Sequence, residues 1–266
     1  MTLKSDNWVA LASIKSFNGV AKASVKSKNW VLLPWGNGLL NSLISYYKMD
    51  WDWNDATATN DITPSNVSWV TGKINNGGSF NVTNSQFRTP NITLPNGSSP
   101  YSINFRVKLN AEITTWTRHF TFLWADATLE DTAYYLNYQY NWGTRRLSYE
   151  HYYNWPETYY AVRSNQTLWT TNWTMITMVY TGTAMTLYVN WSQVATGGGS
   201  GTYWINAAAT YQKGLTIGAQ YVLSAYWSRA NAIFDEIAYY NRAIIWTDIT
   251  NLYNSWAWLP YGSFTS

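Results

Sequence analysis

Between Tyr101 and Leu109 every second residue is large and apolar. Tyr101, Ile103, Phe105, Val107 and Leu109 alternate with Ser102, Asn104, Arg106 and Lys108. Successive side chains of a strand point to opposite faces, so this period buries one face and leaves the other polar. A helix would spread the same residues around its axis. Met185-Thr186-Leu187-Tyr188-Val189 alternates likewise, and Leu215-Thr216-Ile217-Gly218 reads as the end of a strand. From residue 42 onward the pattern is nearly all strand, and the one convincing helix is 247–254. Single all-β domains commonly run to roughly 200–250 residues, so one sandwich can absorb most of such a chain. The expected fold class is all-β.

Composition narrows the partners. Charged residues are only 12% of the chain and aromatic ones 18%, so the polar surface must rest on amides and hydroxyls. A net charge of +3 is too small and too dispersed to mark a nucleic-acid partner. The absence of cysteine removes disulfide frameworks and thiolate zinc sites. No run approaches the ~20 apolar residues of a membrane-spanning helix. Asn7, Ser13, Lys15 and Ser16 interrupt any signal-peptide core, so no export signal is recognisable.

Phe234-Asp235-Glu236-Ile237-Ala238-Tyr239-Tyr240-Asn241-Arg242-Ala243 is followed by Asp248-Ile249-Thr250-Asn251-Leu252-Tyr253-Asn254. It reads as a strand, a short break and a small amphipathic helix ending in Asn. This stretch resembles the C-terminal signature of the laminin-G-like branch of the concanavalin A-like lectin/glucanase superfamily. Trp173-Thr174-Met175-Ile176-Thr177-Met178-Val179-Tyr180 and Ile44-Ser45-Tyr46-Tyr47-Lys48-Met49 are similar to strands of the same family. The resemblance extends over residues 42–254 and implies an antiparallel two-sheet jelly roll with one short C-terminal helix, over 42–266. It also implies a binding role.

Residues 1–41 read as a small β-rich arm and a linker at 33–41. An 11-residue repeat runs through 7–31: Asn7-Trp8-Val9-Ala10 returns as Asn18-Gly19-Val20-Ala21 and as Asn29-Trp30-Val31. Its alternating small, apolar and Lys residues suit short strands joined by Asn-Gly-type turns. Similar tracts often precede such domains in phage and bacterial surface proteins. Trp8 and Trp30 stand where the middle copy has Gly19, a turn position that favours glycine. Trp191 in Tyr188-Val189-Asn190-Trp191, and the tryptophans of Met49-Asp50-Trp51-Asp52-Trp53, also fall where the family has glycine-type turns. Two readings stand: genuine exposed tryptophans, or UGA codons that the source translates as glycine.

Glucan-cleaving relatives carry a Glu-x-Asp-x-x-Glu strand, which sets an acid and a nucleophile about 5–5.5 Å apart. No such triplet occurs here. Glu130 and Asp131 are adjacent and so would point to opposite faces of a strand. No nucleophile-elbow or zinc-protease motif is present either, and a non-enzymatic module is expected. Asp235 sits among apolar neighbours and needs a partner. By resemblance, a structural calcium could use Asp235 with the loop residues Asp50, Asp52 and Asn54; the alternative is a hydrogen-bonded Asp beside an Asx-rich turn.

The densest aromatic stretch runs from Tyr134 to Tyr160. Tyr134, Leu136, Tyr138 and Tyr140 share one strand face and read as core. Tyr135, Asn137 and Gln139 share the other. With Arg146, Glu150 and Trp155 they form the candidate ligand-binding surface, where rings could stack on sugars and amides could bind hydroxyls. Two readings compete. One is an adhesion module for a glycan or cell-surface polysaccharide. The other is a virion structural protein, with residues 1–41 anchoring it to other virion or surface proteins. Both place the chain at an extracellular surface or on a virion.

Overall fold

The computed structural model describes residues 16–17, 20–21, 38–81, 85–89, 92, 99–113, 119–126, 133–141, 143–152, 159–198, 214–222, 225–227, 230–254 and 257–266. The backbone divides into two compact units, 1–35 and 36–266. In the first unit, β1 (Ser16–Phe17) pairs antiparallel with β2 (Val20–Ala21). The rest of the repeat lies outside the described residues, as do Trp8 and Trp30.

The second unit is a two-sheet antiparallel sandwich. Its strands are β3 (Leu43–Tyr47), β4 (Thr63–Ser65), β5 (Ser68–Thr71), β6 (Asn76–Phe80), β7 (Gln86–Thr89), β8 (Tyr101–Leu109), β9 (His119–Asp126), β10 (Ala133–Asn141), β11 (Thr144–Tyr152), β12 (Tyr159–Asn165), β13 (Thr174–Tyr180), β14 (Ala184–Val189), β15 (Ser192–Gly198), β16 (Gly214–Ile217), β17 (Gln220–Val222), β18 (Ala225–Trp227) and β19 (Ala232–Tyr240). One sheet has the order β12-β11-β10-β9-β16-β7-β4. The other runs β15-β14-β13-β8-β19-β6-β5, with β3 also paired to β19. β17 and β18 form a separate hairpin. This is the jelly-roll arrangement expected from the sequence.

The alternation in β8 decides where the core lies. Ile103, Phe105, Val107 and Leu109 meet Tyr134, Leu136, Tyr138, Leu147 and Tyr149 of the facing sheet. A second apolar layer covers the outer side of the β8–β19 sheet. There α1 (Trp246–Tyr253) and the C-terminal tail pack Ile249, Leu252, Tyr253, Trp258 and Phe264 on Tyr46, Met175, Ala238 and Tyr240. Leu39 is fully buried in that layer, and Leu40 N–H donates to Thr265 O at 3.0 Å. Residues 38–41 therefore belong to the packed sandwich rather than to a linker.

α1 closes on Asn254 in the left-handed region, φ 42°, whose N–H donates to Thr250 O. At its start Ile245 supplies no cap. Asp248 does so from within the first turn, accepting from Ile245 N–H at 3.0 Å and from Arg242 Nη1 at 2.7 Å.

β19 is not a regular alternating strand. A bulge lies between Asp235 and Ala238, and Glu236 has φ 51°. The extra residue shifts the parity of the strand. Ala232 and Phe234 face the core before the bulge, Ile237 and Tyr239 after it. Ala238 and Tyr240 belong to the outer layer. The carboxylates thus do not divide between the two faces as a regular strand would divide them.

Candidate functional site

The outer face of β10 and β11 gathers most of the sequence-derived surface. Register pairs Tyr135 with Glu150, Asn137 with Ser148, and Gln139 with Arg146. The intervening residues Leu136, Tyr138, Leu147 and Tyr149 are core, so the paired set faces the other way. Tyr135 donates its phenol to Glu150 Oε2 at 2.5 Å, and Ser148 Oγ donates to Glu150 Oε1. Arg163 of β12, register partner of Ser148, donates Nε to Ser148 Oγ at 3.1 Å and Nη2 to Glu150 Oε1 at 3.2 Å. Arg146 Nη2 donates to Gln139 Oε1 at 3.2 Å.

Five of the six expected residues therefore share one patch; Trp155 lies outside the described residues. The sequence reading missed Ser148 and Arg163. Period-two counting across β11 and β12 would have found them had the strand register been known. The patch also corrects one expectation. Tyr135 is only 8% exposed and its hydroxyl is committed to Glu150, so its ring is a support rather than an open stacking platform. Asn137 and Gln139 are each 8% exposed and Glu150 6%, a floor that solvent reaches only in part. Asn137 Oδ1 and Arg146 Nε are buried without a hydrogen-bond partner. Both atoms are enclosed, and other unbonded side-chain atoms of the sandwich, such as Asp235 Oδ1 and Trp258 Nε1, lie away from this face.

Glu150 is the only carboxylate on this face among the described side chains of β10, β11 and β12. His151 lies on the opposite face, in the core, with Nε2 at 2.6 Å from Tyr101 OH and 2.9 Å from Tyr149 OH. Burial pushes its pKa down to about 3, so its imidazole is neutral at physiological pH.

The residues considered for calcium fall in two hydrogen-bonded groups. Asp235 Oδ2 accepts from Lys73 N–H at 2.8 Å and Ile74 N–H at 2.9 Å, in the turn between β5 and β6. Gly72 opens that turn: a Cβ there would lie 2.2 Å from Asn76 O and 2.9 Å from Asp235 Oδ2. Asp50 accepts from Asn76 N–H and Asn75 Nδ2, and Asp52 Oδ1 accepts from Asn54 N–H. Among the described residues no group of three or more acidic, His or Cys side chains is arranged to hold a metal. Asp235 Oδ2 and both Asp50 oxygens thus accept from donors in place, while Asp235 Oδ1 has none.

Beside Asp235 lies a buried charge cluster. Arg106, its register partner, is fully buried and donates Nη2 to Leu252 O at 3.3 Å and Leu259 O at 3.2 Å. Glu236 accepts from Tyr46 OH and stands 3.9 Å from Arg106 Nη1. Burial raises the Asp235 carboxyl to about 7, against the opposing pull of the Ile74 N–H and Arg106, and raises Glu236 to about 8. Burial likewise lowers Arg106 to about 10. With the C-terminal tail resting on it, this cluster is structural.

Known proteins place the fold. A laminin-G family model, described as "Concanavalin A-like lectin/glucanases superfamily", matches residues 81–250. No curated protein sequence matches the chain significantly. Among solved structures, domain 4 of AbnA, a GH43 extracellular arabinanase from Geobacillus stearothermophilus in complex with arabinotriose, is 20% identical with a TM-score of 0.59; the match covers 79% of this chain and 97% of that one. The binding domain of Paraclostridial Mosquitocidal Protein 1 is 14% identical with a TM-score of 0.63, over 81% of this chain and 52% of that one. The binding domain of botulinum neurotoxin serotype G is 13% identical with a TM-score of 0.62, over 80% and 51%. The chain thus spans about half the length of the two toxin domains. At these identities the likeness is one of fold. On the family match, residues 81–250 assign this chain to the concanavalin A-like lectin/glucanase superfamily, in its laminin-G branch.

Proposed function

We propose that this chain is a non-catalytic glycan-binding module, and that the outer face of β10–β12 is its binding surface. The observation that carries the reading is the hydrogen-bonded floor in which Tyr135, Gln139, Arg146, Ser148, Glu150 and Arg163 share one face. Such a floor offers amides, a hydroxyl and guanidinium groups to sugar hydroxyls, while the supporting bonds fix their directions in advance.

Two features weigh against hydrolysis. A glycosidase needs two carboxyl groups across the scissile bond, and Glu150 is tied to Tyr135, Ser148 and Arg163. The fold likeness to a carbohydrate-complexed arabinanase domain is consistent with a sugar ligand but does not supply its identity. The test is a glycan array probed with the full chain, followed by a reducing-sugar assay on each hit. Binding without sugar release is the expected result. Release of reducing ends, abolished by Glu150→Gln, would overturn the non-catalytic part. An array without hits would overturn the glycan part.

A further inference from the structure

Arg106, Asp235 and Glu236 place one guanidinium and two carboxyl groups beneath the C-terminal tail, all of them fully buried. One buried cation can neutralise one buried carboxylate. The other must keep its proton or be reached by water. Asp235 is the better held as an anion, because the Lys73 and Ile74 N–H groups both donate to its Oδ2 and Arg106 is its register partner. Glu236 accepts from Tyr46 OH alone among the described residues, and Arg106 Nη1 stands off at 3.9 Å. Glu236 is therefore the carboxyl that stays neutral while the site is closed. Burial holds its proton on up to about pH 8, against an ordinary 4.5.

The same Tyr46 carries the tail. Its ring lies 4.8 Å from that of Tyr261 and, edge-on, 5.1 Å from that of Phe264. Arg106 holds the tail nearer α1, through Leu252 O and Leu259 O. Tyr261 OH adds a long bond to Ala56 O at 3.3 Å. Residues 257–264 pair with no strand of the sheet. A segment fastened by one ring and one guanidinium can open without unfolding the strands beneath it. The β19 bulge completes the arrangement, since it turns Glu236 toward Tyr46 and Arg106.

We infer that residues 257–264 form a strap, clamped in acid and loosened as the medium turns mildly alkaline, with Glu236 as its sensor and Tyr46 as the link between them. Lifting the strap lets water reach Glu236, whose carboxyl then ionises at its ordinary value. Between the two values the closed state binds one proton more than the open state. Each unit of pH across that range favours opening by up to about tenfold. The effect begins above about pH 4.5 and levels off above about pH 8. The other groups facing the cluster do not reverse it. Asp50 opposes the ionisation of Asp235. Burial raises the phenols of Tyr240 and Tyr253, which stay neutral over this range. Lys73 and Lys48 meet the strap itself, with Nζ 4.8 Å from the Trp258 ring and 5.4 Å from the Tyr261 ring. Arg242 and Asp248 pair with each other at 2.7 Å.

Hydrogen exchange of the full chain, read by mass spectrometry at about pH 5, 6.5 and 8.5, tests the strap. Each rate is divided by that of an unstructured peptide at the same pH, so that only opening is read. Protection over 257–264 should fall at least about tenfold from pH 5 to pH 8.5. At pH 8.5 it should also stand at least about tenfold below that of β13, at Thr174–Tyr180. Glu236→Gln should flatten the fall. Tyr46→Phe keeps the ring and removes the phenol that donates to the ionised carboxylate, so the pH at which protection levels off should rise. Protection that is constant with pH overturns the switch. Equal protection over 257–264 and β13 means that opening is global and overturns the strap. An undiminished fall in Glu236→Gln overturns Glu236 as the sensor. Should that variant fail to fold, an unmoved levelling-off in Tyr46→Phe overturns it instead.

Discussion

Tyr135 and Glu150 are register partners on adjacent strands, and the phenol of one donates to the carboxylate of the other at 2.5 Å. This bond, with those from Ser148 and Arg163, holds a nearly buried carboxylate in a fixed position. It also couples three strands, β10, β11 and β12, at one point of the sheet.

Removing either end of that bond should cost stability in a non-additive way. Tyr135→Phe and Glu150→Gln should each destabilise by about 1–2 kcal/mol, because a bond to a charged group is lost while Arg163 stays partly solvated. The double variant should cost less than the sum, since both changes remove the same bond. Urea melts of the four proteins measure this. Strict additivity would mean that the bond contributes nothing to the folded state.

The buried carboxyls of β19 set a pH dependence. The folded chain holds protons on Asp235 up to about pH 7 and on Glu236 up to about pH 8, whereas their ordinary values are 3.8 and 4.5. Across that interval the folded state binds more protons than the unfolded state, so stability falls as pH rises. The contribution is fully present below the ordinary values and lost through the raised ones. Thermal melts should therefore be several degrees higher at pH 5 than at pH 8.5. Glu236→Gln should flatten the profile and raise the melt at pH 8.5, because the amide can still accept from Tyr46. A profile that climbs with pH would contradict the assignment.

The boundary of the sandwich is testable by truncation. A chain starting at residue 36 should melt like the full chain. One starting at residue 42 loses Leu39, which is fully buried, and the bonds from Arg242 Nη2 to Gly38 O and Nε to Asn41 O. The loss of a buried leucine alone costs about 2–5 kcal/mol. Identical melts for the two truncations would return residues 38–41 to the linker.

The tryptophans at turn positions divide in the structure. Trp51 has φ 66° and is 68% exposed, an uncommon conformation for a bulky residue in a place where glycine would be unstrained. Trp258 has φ 57° but is 2% exposed, and its ring lies 5.1 Å from the Arg106 guanidinium carbon. Trp51→Gly should be neutral or stabilise by up to about 1 kcal/mol. Trp258→Gly should cost about 3–5 kcal/mol. Peptide mass spectrometry of protein from its native source, read at Trp51, Trp191 and Trp258, decides between tryptophan and UGA translated as glycine.

Much of this fold is legible in the sequence because β8, β10 and β14 keep period two, and each buries one face against the facing sheet. The patch on β10 and β11 was legible for the same reason. Arg163 was not, because its place beside Ser148 depends on the β11–β12 register, which no single strand encodes. The fate of Asp235 and Glu236 was hidden by the bulge, since one inserted residue reverses the alternation of a regular strand. The backbone donors that satisfy Asp235 come from a turn about 160 residues earlier, through a contact that only the tertiary fold creates.

Asn137 offers the most direct measurement of the central claim. It lies on the outer face of β10 opposite Ser148, and its Oδ1 makes no hydrogen bond among the described residues, so replacing it alters the face without breaking a bond from that atom. A glycan identified on the array is titrated calorimetrically into the wild-type chain and into Asn137→Ala, with thermal melts of both. The account predicts a melt within about 2–4 °C of wild type, the shift of roughly 1 kcal/mol in a domain of this size, with affinity reduced about fivefold or more. Unchanged affinity in a folded Asn137→Ala protein would contradict it, and would move the binding surface away from the outer face of β10–β12.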